Sequence, residues 1–372
     1  MKYTIIALLA LVLCSAIANQ TKYEEFKAKY RSVTYGQLQY SQDSLQTMFD
    51  EFLVIFKNEQ PSEVDDYQRR STIFGLNLAM IVAHNIDSTK SWKMGINEYT
   101  DMTEDEFFNH FRFADNADQK CSATSSEPLR FDGDLPTHVD WRESGKVTPV
   151  KNQGSCGSCW TFSTVGSMEA HALISSGETS GPNFSEQQLV DCADASTYDC
   201  HGCAGGLPSY AFNYIRDHGM TTEETYPYHA VDETCYFDKS MTTVTTTGPH
   251  NITAGDEDEL HSALANAGPV SIAFQVVGDF RNYESGVYTS TECDNGPMDV
   301  NHAVLAVGYG HNTTSDLPYY TIKNSWGDSW GNQGYFDMES GVNMCGVAVC
   351  NSFPLNVSWT KKSAIKSFMT PQ

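Results

Sequence analysis

The cysteines constrain this chain most. Eleven occur in 372 residues, and the start of the chain decides what they can do. Lys2 is followed by an apolar run from Ile5 to Leu13 and then by Ala16-Ile17-Ala18, the small-x-small pattern that signal peptidase reads. Cleavage near Ala18 would remove Cys14 and carry the other ten cysteines into an oxidising pathway, where most should pair. The alternative reading of that run is a short buried helix. It is too short to span a bilayer and no later stretch approaches one, so a soluble mature chain is expected. The length suits one large or two moderate domains. Disulfides would then decide which loops lie together.

Two of the ten cysteines stand in Gln-Gly-Ser-Cys-Gly-Ser-Cys-Trp, residues 153–160. Cys159 opens an apolar-periodic segment that runs toward Leu173 and Ile174 and reads as a helix. At a helix start, the positive end of the dipole and the free N–H groups stabilise a thiolate, the form that attacks carbonyl carbon. Cys156 and Cys159 are equally readable as a redox pair, half of a zinc site or two disulfide cysteines, since Cys-x-x-Cys alone does not separate these. Zinc has the weakest support, because no second Cys-x-x-Cys or paired histidines lie at ligand spacing. Neither metal nor cofactor is expected. Thiolate catalysis further needs a base, a group that orients the base, and donors for an oxyanion. His302 precedes the apolar run Ala303 to Tyr309, and Asn324 follows the run Pro318 to Lys323, so both sit at strand ends. In isolation, a lone His is more often structural and a lone Asn a turn.

Residues 19–113 read as helical, with Met48, Phe49, Phe52, Leu53 and Phe56 at steps of one, three and four and a second such segment from Asp66 to Asn85. Residues 114–134 are polar, without periodicity, and hold Cys121; that is linker composition. From Leu135 a mixed half contains the Cys159 helix and another near Ser209 to Asp217. Strand-like runs separated by Gly follow to about Leu355. This predicts two lobes, one helix-rich and one sheet-rich, with a ligand cleft between them. The tail beyond has no assigned role and reads as loose. A formal charge of -24 argues against nucleic acid or an anionic membrane as partner. Asn183, Asn251, Asn312 and Asn356 open glycosylation sequons.

Three motifs in order, the octapeptide, Asn301-His302-Ala303-Val304 before Gly308-Tyr309-Gly310, and Asn324-Ser325-Trp326-Gly327, together resemble the papain-like cysteine proteases. The resemblance implies an α+β, two-lobe fold with a helical left lobe and a β-barrel-like right lobe, preceded by a helical propeptide. It implies Cys159 as nucleophile, His302 as general base and acid, Asn324 orienting the imidazolium under Trp326, and Gln153 as oxyanion donor with the Cys159 N–H. Gly205 and Gly206 would offer main-chain groups to an extended substrate. Arg70, Phe74, Asn77, Ile81 and Asn85 have the spacing of the family's inhibitory propeptide helix, with Asp66 where Glu is expected. Gly95-x-Asn97-x-Tyr99-x-Asp101 resembles its second motif, with Tyr for Phe. The implied segments are a signal peptide (1–18), an inhibitory propeptide (19–113), a linker (114–134), a peptidase domain (135–357) and a C-terminal extension (358–372). Acid should loosen the propeptide by protonating carboxylates in its ion pairs.

Within that family, nearly the whole chain after the leader is similar to the cathepsin H group, whose members act as aminopeptidases. Its members keep a propeptide remnant, the mini-chain, disulfide-bonded to the catalytic domain; Cys121-Ser122-Ala123-Thr124, within 117–124, matches its end. The carboxylate of Thr124 would meet a substrate's free ammonium and exclude longer chains. Otherwise Cys121 is a plain linker cysteine. Lys120 stands where the group's remnant carries Asn. By analogy the pairs are Cys156 with Cys203, Cys192 with Cys235, Cys293 with Cys345 and Cys121 with Cys350. Cys200 is left over, free or reshuffled locally, and Leu135-Pro136 fits a mature N-terminus. The expectation is a lysosomal or secreted monomer, made as a zymogen, that cleaves peptides and proteins mainly as an aminopeptidase and meets its own propeptide and cystatin-like inhibitors. A cathepsin L-type endopeptidase and a non-catalytic binding protein on the same fold are the alternatives.

Overall fold

The computed structural model describes residues 20–111 and 133–360. Helices dominate the N-terminal region: α1 covers 20–34, α2 Gln42–Phe52, α3 Tyr67–Ile86 and α4 Glu104–Phe111. Ser41 starts α2 through a reciprocal capping box with Ser44. The apolar residues at helical spacing meet, as expected, in an aromatic core; the Phe52 ring lies 5.0 Å from Phe74 and 5.4 Å from Phe56. The region is not all helix, however. Trp92–Met94 forms a strand, β1, whose partner lies far downstream.

In the body, β2 (Val139–Asp140) precedes α5 (Cys159–Ser176), α6 (Glu186–Cys192), α7 (Ala195–Tyr198) and α8 (Pro208–His218). Then come β3 (Val244–Thr245), β4 (Pro249–Asn251), α9 (Glu257–Asn266), β5 (Val270–Phe274) and β6 (Tyr283–Tyr288). The last strands are β7 (His302–Asn312), β8 (Leu317–Lys323), β9 (Tyr335–Glu339), β10 (Ser352–Pro354) and β11 (Ser358–Trp359). The main sheet runs β1-β6-β9-β8-β7-β5-β10-β4, with β2 also paired to β7. Its pairs are antiparallel apart from β6 with β9.

Two cores result, matching the expected lobes. Trp160, Val165, Met168, Leu189, Phe212 and Ile215 pack in the helical lobe. Ile272, Phe274, Val304, Ile322 and Phe336 pack under the sheet, and this second core continues without a break into Phe74, Trp92 and Phe107 of the N-terminal region. Strand β1 explains the continuity. It lies antiparallel to β6 with Trp92 opposite Gly286. A Cβ on Gly286, which has φ +91°, would stand 2.6 Å from the Ser91 carbonyl oxygen, so glycine permits the approach. Trp92 packs 4.9 Å from Tyr288 and donates its indole N–H to Thr289 O at 3.1 Å.

Helix α5 joins the lobes. It is buried on almost every face, the pattern of a central helix. Its polar side chains reach across to the sheet: Ser163 Oγ donates to Val304 O at 2.7 Å and Ser167 Oγ to Pro269 O at 2.9 Å. Strand β7 answers with a buried run from His302 to Gly310 because both its faces are covered, Ala303 by the helical core and Val304 by the sheet core. The described disulfides are Cys156–Cys203, Cys192–Cys235 and Cys293–Cys345. At the other end, Ser358 and Trp359 pair with Thr245 and Val244, and Trp359 packs edge-on to Phe184. The tail read as loose beyond Leu355 is therefore bound as far as β11, and a boundary at 357 cuts that pairing.

Candidate active site

Cys159 is the first residue of α5, as its place in the sequence predicts. Cys156 is committed to Cys203, and Gly157 N–H donates to Cys203 O at 3.0 Å. The octapeptide loop is thereby stapled, while Cys159 keeps a free thiol. Its sulfur accepts from Ala303 N–H at 3.5 Å. That contact sets the first residues of β7, and so His302, against the nucleophile.

The His302 tautomer follows from its neighbours. Asn324 Oδ1 accepts from Ser325 N–H at 2.8 Å, which identifies that atom as the oxygen. It lies 2.8 Å from His302 Nε2, so Nε2 carries the proton and donates. In a neutral ring Nδ1 is then the basic nitrogen. Trp326 stacks over this pair with ring centroids 4.9 Å apart and 24° between planes, keeping water from the hydrogen bond. Burial pushes the Cys159 thiol up to about 11, opposed by the N–H groups of Ala303, Trp160 and Cys159. Burial also pushes the His302 imidazole down to about 4, opposed by Asn324. Both shifts favour the neutral pair while the cleft is covered.

Gln153 is fully buried and held at several points. Its N–H donates to Ser325 O at 2.9 Å, its Oε1 accepts from Ser325 Oγ at 2.7 Å, and its Nε2 donates to Cys156 O at 2.9 Å. One Nε2 hydrogen remains for an oxyanion. Gly206 stands against α5, where a Cβ would meet the Trp160 ring at 2.6 Å. Gly205 O accepts from His201 N–H at 2.8 Å. Beside them lies an apolar cluster of Leu207, Ala273, Val349 and Cys350 with Val300. No sequence pattern announced it, since it is assembled from four distant segments.

Behind the site is a buried charge cluster that the sequence reading missed. Lys151 Nζ lies 3.0 Å from Glu169 and 2.7 Å from Glu186. Lys323, next to Asn324, donates to Thr148 Oγ1 at 3.2 Å, and Thr148 donates in turn to Glu169. Burial pushes Lys323 down to about 8.

The N-terminal region covers this site. Phe111 stacks on the Trp326 ring at 4.7 Å, and Phe107 meets it edge-on at 5.4 Å. Tyr99, in the place where Phe was expected, donates its hydroxyl to Trp326 O at 3.4 Å. Asp101 takes ion pairs from Lys57 at 3.0 Å and Arg70 at 3.6 Å. Asp66 precedes α3 in a left-handed conformation; its carboxylate lies 3.7 Å from Arg69 Nε, and its carbonyl accepts from Arg70 N–H at 3.1 Å.

Thr124 and Cys121 lie outside the described residues. Cys350 is nonetheless disulfide-bonded, and none of the described pairs contains it. Cys200 is a free buried thiol donating to Tyr198 O, with burial pushing it up to about 12; no local reshuffling has occurred. Asn183 and Asn356 are exposed, Asn251 and Asn312 partly so. Among the described residues no helix is long and apolar enough to cross a membrane.

A thiol at a helix N-terminus beside a buried His–Asn pair, covered by an N-terminal helical segment, defines a cysteine protease zymogen. The chain belongs to the papain family of cysteine proteases: the model for that family matches residues 135–355, and that for the cathepsin propeptide inhibitor domain matches 49–107. It is 47% identical to pro-cathepsin H of Bos taurus over 309 residues, 82% of this chain and 89% of that one. It is 50% identical to the thiol protease aleurain of Arabidopsis thaliana over 294 residues, 78% and 79% of the two chains. Among solved structures, digestive procathepsin L 3 of Tenebrio molitor superposes with a TM-score of 0.75 at 33% identity, covering 85% of this chain and all of that one.

Proposed function

We propose that this protease acts mainly as an aminopeptidase, with some endopeptidase activity, in a lysosomal, vacuolar or secreted setting. Cys159 Sγ attacks the scissile carbonyl; the S–C bond forms and the C=O pair moves to oxygen, where the Gln153 amide and the Cys159 N–H hold it. His302, having taken the thiol proton at Nδ1, returns it to the leaving amine as the C–N bond breaks. It then takes a proton from water as the water oxygen attacks the thioester carbonyl carbon; the C–S bond breaks, the acid leaves, and His302 returns the proton to the Cys159 sulfur. Asn324 keeps the ring turned for each transfer.

The observation that carries the aminopeptidase reading is Cys350. Its disulfide partner is none of the described cysteines, which leaves Cys14, in the leader, and Cys121. Cys350 also belongs to the apolar cluster beside Gly206. A Cys121 link there would bring a chain ending at Thr124 to the cleft, with its carboxylate facing a substrate's ammonium. Similarity to pro-cathepsin H supports the same reading. The test compares unblocked and N-acylated versions of one fluorogenic amide with processed enzyme. Strong preference for the unblocked form is expected; equal turnover sinks the reading and favours an endopeptidase of cathepsin L type.

A further inference from the structure

Tyr228 is absent from every motif above, yet its hydroxyl touches both halves of the oxyanion site. It lies 2.7 Å from the carbonyl oxygen of Gln153 and 2.6 Å from Ser158 Oγ. A carbonyl can only accept, so the single phenolic proton goes to Gln153 O, and the Ser158 hydroxyl donates to Tyr228. Ser158 contributes the carbonyl half of the peptide plane whose other half is the Cys159 N–H. One oxygen therefore ties the residue that carries the amide donor to the plane that carries the main-chain donor.

Ser158 supplies a second observation. It occupies the N-cap of α5, where a serine normally accepts from the N–H of the second or third residue, yet its side chain makes no capping bond. The third-residue N–H, that of Thr161, donates instead to Ser158 O at 2.8 Å, and the Ser158 hydroxyl turns to Tyr228. The N–H groups of Trp160 and Cys159 are directed at the Cys159 sulfur. Tyr228 is itself well placed: its ring meets Phe162 edge-on at 5.0 Å, and its N–H donates to Glu223 Oε1 at 2.8 Å.

We propose that Tyr228 is a positioning residue for the oxyanion site, holding the Gln153 amide and the Cys159 N–H at a fixed separation. This rests on the oxyanion role given to Gln153. The step that it serves is acylation, in which charge develops on the substrate oxygen. Alkylation of the same sulfur develops none, and this separates positioning from mere support.

The test is Tyr228→Phe, which removes one oxygen and keeps the ring, beside Gln153→Ala, both made as the full chain and assayed after processing. Three quantities are read: kcat and KM on a fluorogenic amide, the inhibition constant of an aldehyde with the same acyl part, and the rate of Cys159 alkylation by iodoacetamide. The aldehyde forms a hemithioacetal whose oxygen occupies the oxyanion position. Displacing a donor should cost less than deleting one, so Tyr228→Phe is expected to lower kcat about tenfold and weaken the aldehyde about equally, with KM and alkylation within about twofold. Parallel losses in alkylation and hydrolysis would overturn the proposal, as would no loss in either. If Gln153→Ala leaves amide hydrolysis intact, the oxyanion reading itself fails. If that variant is impaired while Tyr228→Phe is normal, only the role of Tyr228 fails.

Discussion

Replacing Asn77 with alanine should open the zymogen by a factor that its hydrogen bonds allow one to calculate. Asn77 Oδ1 accepts from Arg281 Nη2 at 2.9 Å, across the junction between propeptide and peptidase domain. Its Nδ2 donates to Thr100 O at 2.7 Å and Met102 O at 2.9 Å. Arg281 is 4% exposed, and its Nη1 also donates to Met102 O. Alanine would leave a charged donor buried without its acceptor, a loss of about 2 kcal/mol. Thr100 O loses a donor as well, while Met102 O keeps Arg281, so the total is about 2 to 3 kcal/mol. The open fraction of the zymogen should then rise roughly 30- to 150-fold. The assay is the rate at which a peptidyl epoxide labels Cys159 in the full-length chain at neutral pH, followed by mass spectrometry. Labelling requires an uncovered cleft, so its rate follows the open fraction. A rate within twofold of the parent, from zymogens whose processed forms label equally, would refute the reasoning.

Two further outcomes follow from buried titrating groups. In the zymogen, burial holds the Cys159 thiol up at about 11 and the His302 imidazole down at about 4, so the thiolate fraction should grow steadily from pH 5 toward pH 11. Iodoacetamide should therefore alkylate the zymogen faster at each step up in pH; a flat rate from pH 5 to 8 would mean that the thiolate–imidazolium pair exists before processing. Lys323 is lowered by burial from 10.5 to about 8, and a depressed lysine penalises folding fully below its folded value and not at all above its unfolded one. Lys323→Met in a Cys159→Ala chain should stabilise by up to about 3 kcal/mol at pH 6 and by much less at pH 10; equal urea midpoint shifts at both pH values would contradict the sign.

Much of the site was legible because its residues open or close regular elements. Cys159 begins an apolar helix, and His302 and Asn324 stand at the ends of apolar strands, positions that a period and a boundary reveal. The propeptide helix was legible for the same reason: Phe74, Asn77, Ile81 and Asn85 fall on one buried face. Strand β1 was not, since three residues carry no period and the hydrogen-bond ladder is supplied by β6. Tyr228 and the Lys151–Glu169–Glu186 cluster were equally silent, because each acts through a contact that closes only when distant loops fold together.

The sequence by itself determined the local chemistry: an acidifiable thiol at a helix start, a histidine and an asparagine at strand ends, and enough cysteines for several disulfide staples. Tertiary structure decided which cysteine reacts. A disulfide forms where the fold brings two side chains together, and here Cys156 meets Cys203 while Cys159 faces Ala303. It also decided that the thiol and imidazole rest neutral, because the protonation of a buried group depends on what surrounds it: Trp326 stacks on His302, and Phe107 and Phe111 from the N-terminal region pack on Trp326.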